Sequence, residues 1–374
     1  MNDPNGGKDE RFLLKDLFNR ESVGAIGRAV GLASPGFDAG EFMSRVFDDR
    51  WRERELKQRM RHISTVLHGI LPGPYREQLE ALLDAAEHTP NGFAALVFSD
   101  FVEAFGVHDW EASVPALARF TRLESAEFAI RPFLAADLER GMAQMLEWAQ
   151  DPDPAVRRLA SEGSRPRLPW GSRLHALVAD PAPILPVLER LVYDPDESVR
   201  RSVANNLNDI SKDHPDLVVE WLAQWNPQPG TDLYRLARHA LRTVSKRGHP
   251  GALAILGLAA EPDVELGELR LEPATPHVGG SAILSFTIGS SATKPITVLP
   301  GYAIHYVKAD GSTSPKVFRL SAVVIQPGRP APFRRTLSFR QMTTRVHRPG
   351  THKVVILANG SPIGEAEFEL APPP

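Results

Sequence analysis

The sequence predicts two architectures in one chain, an all-α solenoid of stacked helix pairs followed by an all-β sandwich. Three observations carry this. The apolar period changes from helical to alternating near residue 260, one segment recurs 43 residues on, and turn residues punctuate the last third at short intervals. At 374 residues with 42% apolar content, the chain is long enough for both parts to bury a core.

From about Lys15 to Leu258 the pattern is helical. LEALLDAAE, VPALARF, LERGMAQMLEWAQ, PAPILPVLERLV and LVVEWLAQW each place apolar residues at i, i+3 and i+4, with short Asp- and Pro-rich connections between them. DPDPAVRRLASE begins at Asp151 and DPDESVRRSVANN at Asp194, and YRLARHALRTVSKRGHP is a looser third copy. That spacing fits HEAT-like helical pairs, which stack into a solenoid whose second helices line a concave face. From about Val264 the period is two. Leu284, Phe286 and Ile288 alternate with small residues, and Ala366, Phe368 and Leu370 alternate with glutamates. With ADGS, QPGR, RPG and NGSP as turns, six or seven antiparallel strands form an immunoglobulin-like sandwich. The expected organisation is multidomain: an all-α HEAT-like repeat solenoid over 1–262, then an all-β immunoglobulin-like sandwich over 263–374, joined through EPDVELGEL.

The net charge of −3 conceals an asymmetry. Residues 267–374 carry 12 Lys and Arg against 6 Asp and Glu, which is +6 and leaves −9 on the remainder. A basic tail points to a polyanionic partner. The absence of cysteine excludes disulfides, thiolate metal sites and cysteine nucleophiles, and suits a reducing cytoplasm. The polar N-terminus is not a signal peptide, and no apolar run approaches the ~18 residues of a membrane helix, so a cytoplasmic protein is expected. HExxH spacing and a GxxxxGK loop are absent, so neither zinc nor ATP is expected.

The repeat helices carry a second pattern. Val156, Leu159 and Ala160 form one buried stripe, and Val199, Val203, Leu207 and Ile210 the next. Arg158 and Glu162 share another face; Arg201, Asn205 and Asp209 form a polar line; Arg235, His239, Arg242 and Lys246 form a cationic one. Phosphates alone would not want the carboxylates, and a cation alone would not want the arginines. The mixture suits a polyanion with a local positive charge, such as DNA bearing an N-alkylated base.

KDLFN, ELKQRMRHIS, ESAEFAIRPF, LASEGSRPRLPWG and SVRRSVANNLNDISKDHP together resemble the AlkC family of bacterial DNA alkylation-repair glycosylases, relatives of AlkD in the HEAT-like superfamily. The resemblance spans most of residues 12–258, and some members carry a C-terminal immunoglobulin-like domain. It implies hydrolysis of the N-glycosidic bond of cationic bases, notably 3-methyladenine and 3-methylcytosine, in duplex DNA without base flipping. It further implies no metal, no nucleotide cofactor and no lyase lysine, and the protein is expected to act as a monomer, nucleoid-associated when on DNA.

A cationic base departs neutral, so the reaction needs no general acid. It needs negative charge near the deoxyribose and a carboxylate to orient water. Glu162 and Asp209 are the expected pair, with Glu127 a third. Pro166 and Pro169 end the helix and hold Trp170 outward, where its indole face meets the lesion nucleotide. Arg165 and Arg167 flank that turn as phosphate clamps, joined by Arg158, Arg201, Arg242 and Lys246, and by Arg345 and Arg348 in a basic C-terminal loop. The alternative is a non-enzymatic HEAT scaffold for DNA or protein.

Overall fold

The computed structural model describes residues 13–341 and 346–374. Among them are fifteen α-helices, the last ending at Ile255, followed by nine β-strands from Glu265 onward. None of these helices is long and apolar enough to cross a membrane. By internal contacts the chain divides into two compact units, one through Ile210 and one from Ser211 to Pro374.

In the first unit the repeat is visible atom by atom. Helix Pro154–Gly163 and helix Glu197–Ile210 each follow a DPD turn. Asp151 Oδ1 accepts from Asp153 N at 2.8 Å, and Asp194 Oδ1 from Asp196 N at 2.9 Å. The first arginine of each RR pair folds back on its own turn. Arg157 Nη1 donates to the Asp151 and Pro152 carbonyls at 3.0 and 2.9 Å, and Arg200 Nη1 to those of Asp194 and Pro195 at 2.6 and 2.8 Å. Arg157 also reaches Asp194 in the next repeat through a bidentate pair of 2.6 and 3.0 Å, which fixes the spacing of the two helices. The apolar stripes go inward as their period requires. Val156, Leu159, Ala160, Val199, Val203, Leu207 and Ile210 are all buried.

The second unit joins helices Pro215–Ala223, Asp232–Ala240 and Pro250–Ile255 to the sandwich. Its strands are β1 (Glu265–Glu272), β2 (Ser281–Gly289), β3 (Ile296–Val298), β4 (Pro300–Val307), β5 (Thr313–Arg319), β6 (Val323–Ile325), β7 (Ala331–Ser338), β8 (Gly350–Ala358) and β9 (Ser361–Leu370). They form sheets ordered β1-β2-β7, β3-β6 and β5-β4-β8-β9, with antiparallel pairing inside each. Nine strands exceed the six or seven expected, because β3 and β6 are three residues each, too short to show a period. The alternating residues Leu284, Phe286 and Ile288 enter the core with Ile304, Phe339 and Ile356. Asn359-Gly360 turns β8 into β9 with positive φ at both residues, the demand of a two-residue hairpin. Asn359 Nδ2 then donates to the Ala259 carbonyl at 2.8 Å, tying the hairpin to the chain that precedes the sandwich.

Candidate active site

The site is built where helix Pro154–Gly163 ends. Ser164 Oγ donates back to the Ala160 carbonyl at 2.8 Å, and Pro166 prevents a further turn. The next residues make a tight turn in which Gly171 N donates to the Leu168 carbonyl at 3.1 Å. Pro169 occupies the second position, where its fixed φ is suited, and Trp170 the third, with φ of +62°. That position favours glycine or asparagine; a bulky side chain there is an outlier. The indole gains only partial burial in exchange, for Trp170 is 62% exposed. The sequence expectation that the prolines hold Trp170 outward agrees with this placement.

Behind the turn lies a buried ion cluster. Arg165 Nη1 reaches Glu162 Oε1 at 2.5 Å, while its Nε and Nη2 both reach Asp209 Oδ2 at 2.8 Å. All three residues are at most 5% exposed. Burial pulls the Arg165 guanidinium down, but the charges of Glu162 and Asp209 outweigh it and hold the group above its ordinary value. Glu162 Oε2 accepts from Ser202 Oγ at 2.6 Å, and Asn206 Nδ2 donates to the Ser161 carbonyl at 2.8 Å. The two repeat helices are therefore joined along a polar seam. Glu127 stands beside them, partly exposed, taking Arg158 Nη2 at 3.0 Å and Ser125 Oγ at 2.7 Å. Lys57 Nζ lies 4.3 Å from the centroid of the neighbouring Phe128 ring.

Three sequence expectations are corrected here. Arg165 is no phosphate clamp: its guanidinium is buried and spent on two carboxylates, because the chain turns back over Asp209 after Gly163. The line Arg201, Asn205, Asp209 does not stay on one exposed face. Arg201 is exposed and pairs with Glu197 at 2.7 Å, Asn205 is half-buried, and Asp209 is 1% exposed. The cationic line of the third copy is broken as well. Its helix stops at Ala240, leaving Arg242 in the turn that follows, with Nη1 on the His239 carbonyl at 2.7 Å, and exposed Lys246 in a short 3₁₀ turn.

Arg158 does not pair with Glu162 but with Glu127, and Arg167 is half-buried next to the turn. Arg348 is exposed, and Arg345 lies outside the described residues. Among those residues no cluster of three or more His, Asp or Glu is placed to hold a metal ion. Sequence reasoning missed Arg131. It is wholly buried and donates to the carbonyls of Gly163 and Arg165, both at 2.8 Å, and of Ser172. Burial and the charge of Arg165 push it down to about 10, so it stays a cation at neutral pH.

Comparison with known proteins places this arrangement. The family described as DNA alkylation repair enzyme matches residues 57–247, just over half of the chain. The chain belongs to that family. Residues 265–372 match the C-terminal Ig-like domain described for the uncharacterised protein YhaZ. YhaZ of Bacillus subtilis (strain 168), itself named as uncharacterised, is 39% identical over 358 residues, covering 96% of this chain and 99% of its own. The structure of Pseudomonas fluorescens alkylpurine DNA glycosylase AlkC, bound to DNA containing an abasic site analog, superposes with a TM-score of 0.90 at 41% identity. That match covers 96% of this chain and 99% of the other. The resemblance to the AlkC family noted from sequence is thereby borne out, as is a helical region followed by an immunoglobulin-like domain. The ion cluster, the Trp170 turn and Arg131 all lie inside the segment that the alkylation-repair family matches.

Proposed function

We propose that the protein is a monofunctional DNA glycosylase that hydrolyses the N-glycosidic bond of cationic N-methylated bases, 3-methyladenine and 3-methylcytosine, in duplex DNA. The observation that carries this reading is the pairing of two buried, arginine-bridged carboxylates, Glu162 and Asp209, with an exposed tryptophan held in a strained turn beside them. The alkylated base arrives as a cation and leaves neutral, so the protein's task is to stabilise positive charge on the deoxyribose and to present water. Glu162 and Asp209 supply the fixed negative charge; the more accessible Glu127 orients the water. Trp170 packs its face on the lesion nucleotide, worth ~0.5–2 kcal/mol of cation–π contact when desolvated. No metal or nucleotide cofactor takes part, and the base is not flipped into a pocket.

In this reading residues 1–262 act as the glycosylase domain. Residues 263–374 add grip on the duplex, with Arg348 and Arg345 on its phosphates, while Arg167, Arg201, Arg242 and Lys246 contact the backbone from the helical part. The partner is double-stranded DNA carrying alkylated bases, engaged by one copy of the chain in the bacterial cytoplasm. The test is release of free base from methylated duplex DNA in EDTA, resolved by chromatography. Release by the wild type, with a loss of at least ~100-fold in Glu162→Gln and Asp209→Asn, is the expected result. DNA binding without release would turn the reading to a non-enzymatic DNA-binding scaffold.

A further inference from the structure

We propose that Arg131 is the positioning residue of the Trp170 turn, resting on the glycosylase reading above. The segment from Gly163 to Ser172 leaves one helix and carries both Arg165, which bridges the carboxylates, and Trp170. It has no regular secondary structure of its own, so something else must hold its shape. Arg131 does so from helix Arg131–Ala136, two helices earlier in the chain. One guanidinium takes the Gly163 and Arg165 carbonyls on Nη1 and the Ser172 carbonyl on Nε and Nη2, clasping the segment at its start and at its end.

The fit is close on both sides. A Cβ at Gly163 would stand 2.6 Å from Ile130 Cγ2, and one at Gly171 would stand 3.0 Å from Leu168 Cδ2 and 3.2 Å from Arg131 Nε. The carbonyl ends of the clasp take up the fork of donors that only arginine presents. A left-handed Trp170 persists only if its surroundings over-determine it, and these contacts do that. Arg131 itself need touch neither substrate nor carboxylate.

The experiment labels the full chain with 5-fluorotryptophan and assigns the Trp170 resonance by its loss in Trp170→Phe. In Arg131→Lys a single ammonium cannot span three carbonyls. The expected result is a shifted or broadened Trp170 resonance in a protein that still melts cooperatively. The single-turnover rate of base release should fall by about 2- to 30-fold, the range of a lost cation–π contact, while affinity for methylated duplex changes less than threefold. Arg131→Lys combined with Trp170→Gly should be no slower than Trp170→Gly alone. If Arg131→Lys does not fold, Gly171→Ala, which crowds the clasp and keeps the arginine, should move the same resonance. An unmoved Trp170 signal in the folded variants, or losses that add in the double variant, overturns the proposal. Absence of base release by the wild type would sink the glycosylase reading alone, since the fluorine signal still reports whether Arg131 holds the turn.

Discussion

Replacing Trp170 by glycine separates a tryptophan that serves a ligand from one that plugs the fold, because the two roles differ in the size of the stability change. Trp170 is 62% exposed, so little more than a third of it is covered. Full burial of an indole hides about 150–250 Å², which puts the covered share near ~80 Å². At ~25 cal/mol per Å², removing it costs about 2 kcal/mol. Glycine adds about 0.5–1 kcal/mol of unfolded-state entropy to that cost. Against both stands relief of the φ of +62°, worth about 1–2 kcal/mol for a residue with a Cβ. The net loss is about 1 kcal/mol, whereas truncating a tryptophan packed in a core costs about 3–5 kcal/mol.

The assay is urea denaturation of Trp170→Gly beside wild type, followed by single-turnover base release from methylated duplex. Stability should fall by about 1 kcal/mol, and the rate by about 2- to 30-fold, the equivalent of a lost cation–π contact. A destabilisation of 3 kcal/mol or more would make Trp170 a structural plug. A rate equal to wild type would remove it from the site.

Other expectations follow from the same geometry. Arg165→Met strands two carboxylates that it now bridges, and should destabilise the protein by about 3–5 kcal/mol in chemical denaturation. Replacing Glu162, Arg165 and Asp209 together by apolar residues of similar volume should restore stability to at least the wild-type level while leaving base release absent, which the same denaturation and release assays check. Burial, with the nearby Asp100 charge adding to it, pushes the Glu103 carboxyl above its ordinary value. A raised carboxyl contributes stability below its unfolded-state value and loses it as pH rises through the folded one. Glu103→Gln should therefore melt higher than wild type at pH 7.5 and no higher at pH 4. Arg348→Ala should weaken duplex binding equally for methylated and unmethylated DNA and lower the slope of log K against log salt by about 0.9, measured by anisotropy titration.

The two-part fold was legible because each part writes its period into the chain. Val156, Leu159 and Val203 sit three to four residues from their stripe-mates, and Leu284, Phe286 and Ile288 sit two apart. Period cannot report the direction of a chain after a helix stops. The pattern therefore presents Arg165 as a solvent-facing clamp, although the backbone past Gly163 carries it back over Asp209. For the same reason Arg201 and Asp209, eight residues apart on one helix line, end in water and in the core respectively. The sequence does carry a signal for Arg131. In FAIRPFLAA a single cation sits inside an apolar run, and a charge there is buried with several partners or it is not there at all.

Buried ion clusters do little for stability, since desolvation consumes most of the attraction between their members. Glu162 and Asp209 nevertheless stand buried on the two helices whose other buried positions include the apolar Leu159, Val203 and Leu207, with Arg165 reaching them from the turn beyond Gly163. The arginine offsets the repulsion between the two acids without cancelling it: two carboxylates and one guanidinium leave a net charge of −1 at the foot of the Trp170 turn. Arg131 adds a cation that couples to Asp209, Glu127 and Glu162, so the cluster presents fixed carboxylates in a set arrangement rather than a bare net charge. At an effective dielectric of ~20, one unit of negative charge ~5 Å from a developing cation is worth about 3 kcal/mol, or roughly a hundredfold in rate. A scaffold would have no use for that field. A reaction that places positive charge on a sugar would, because carboxylates already locked by Arg165, Ser202 and the seam between the repeats need no reorganisation when that charge appears.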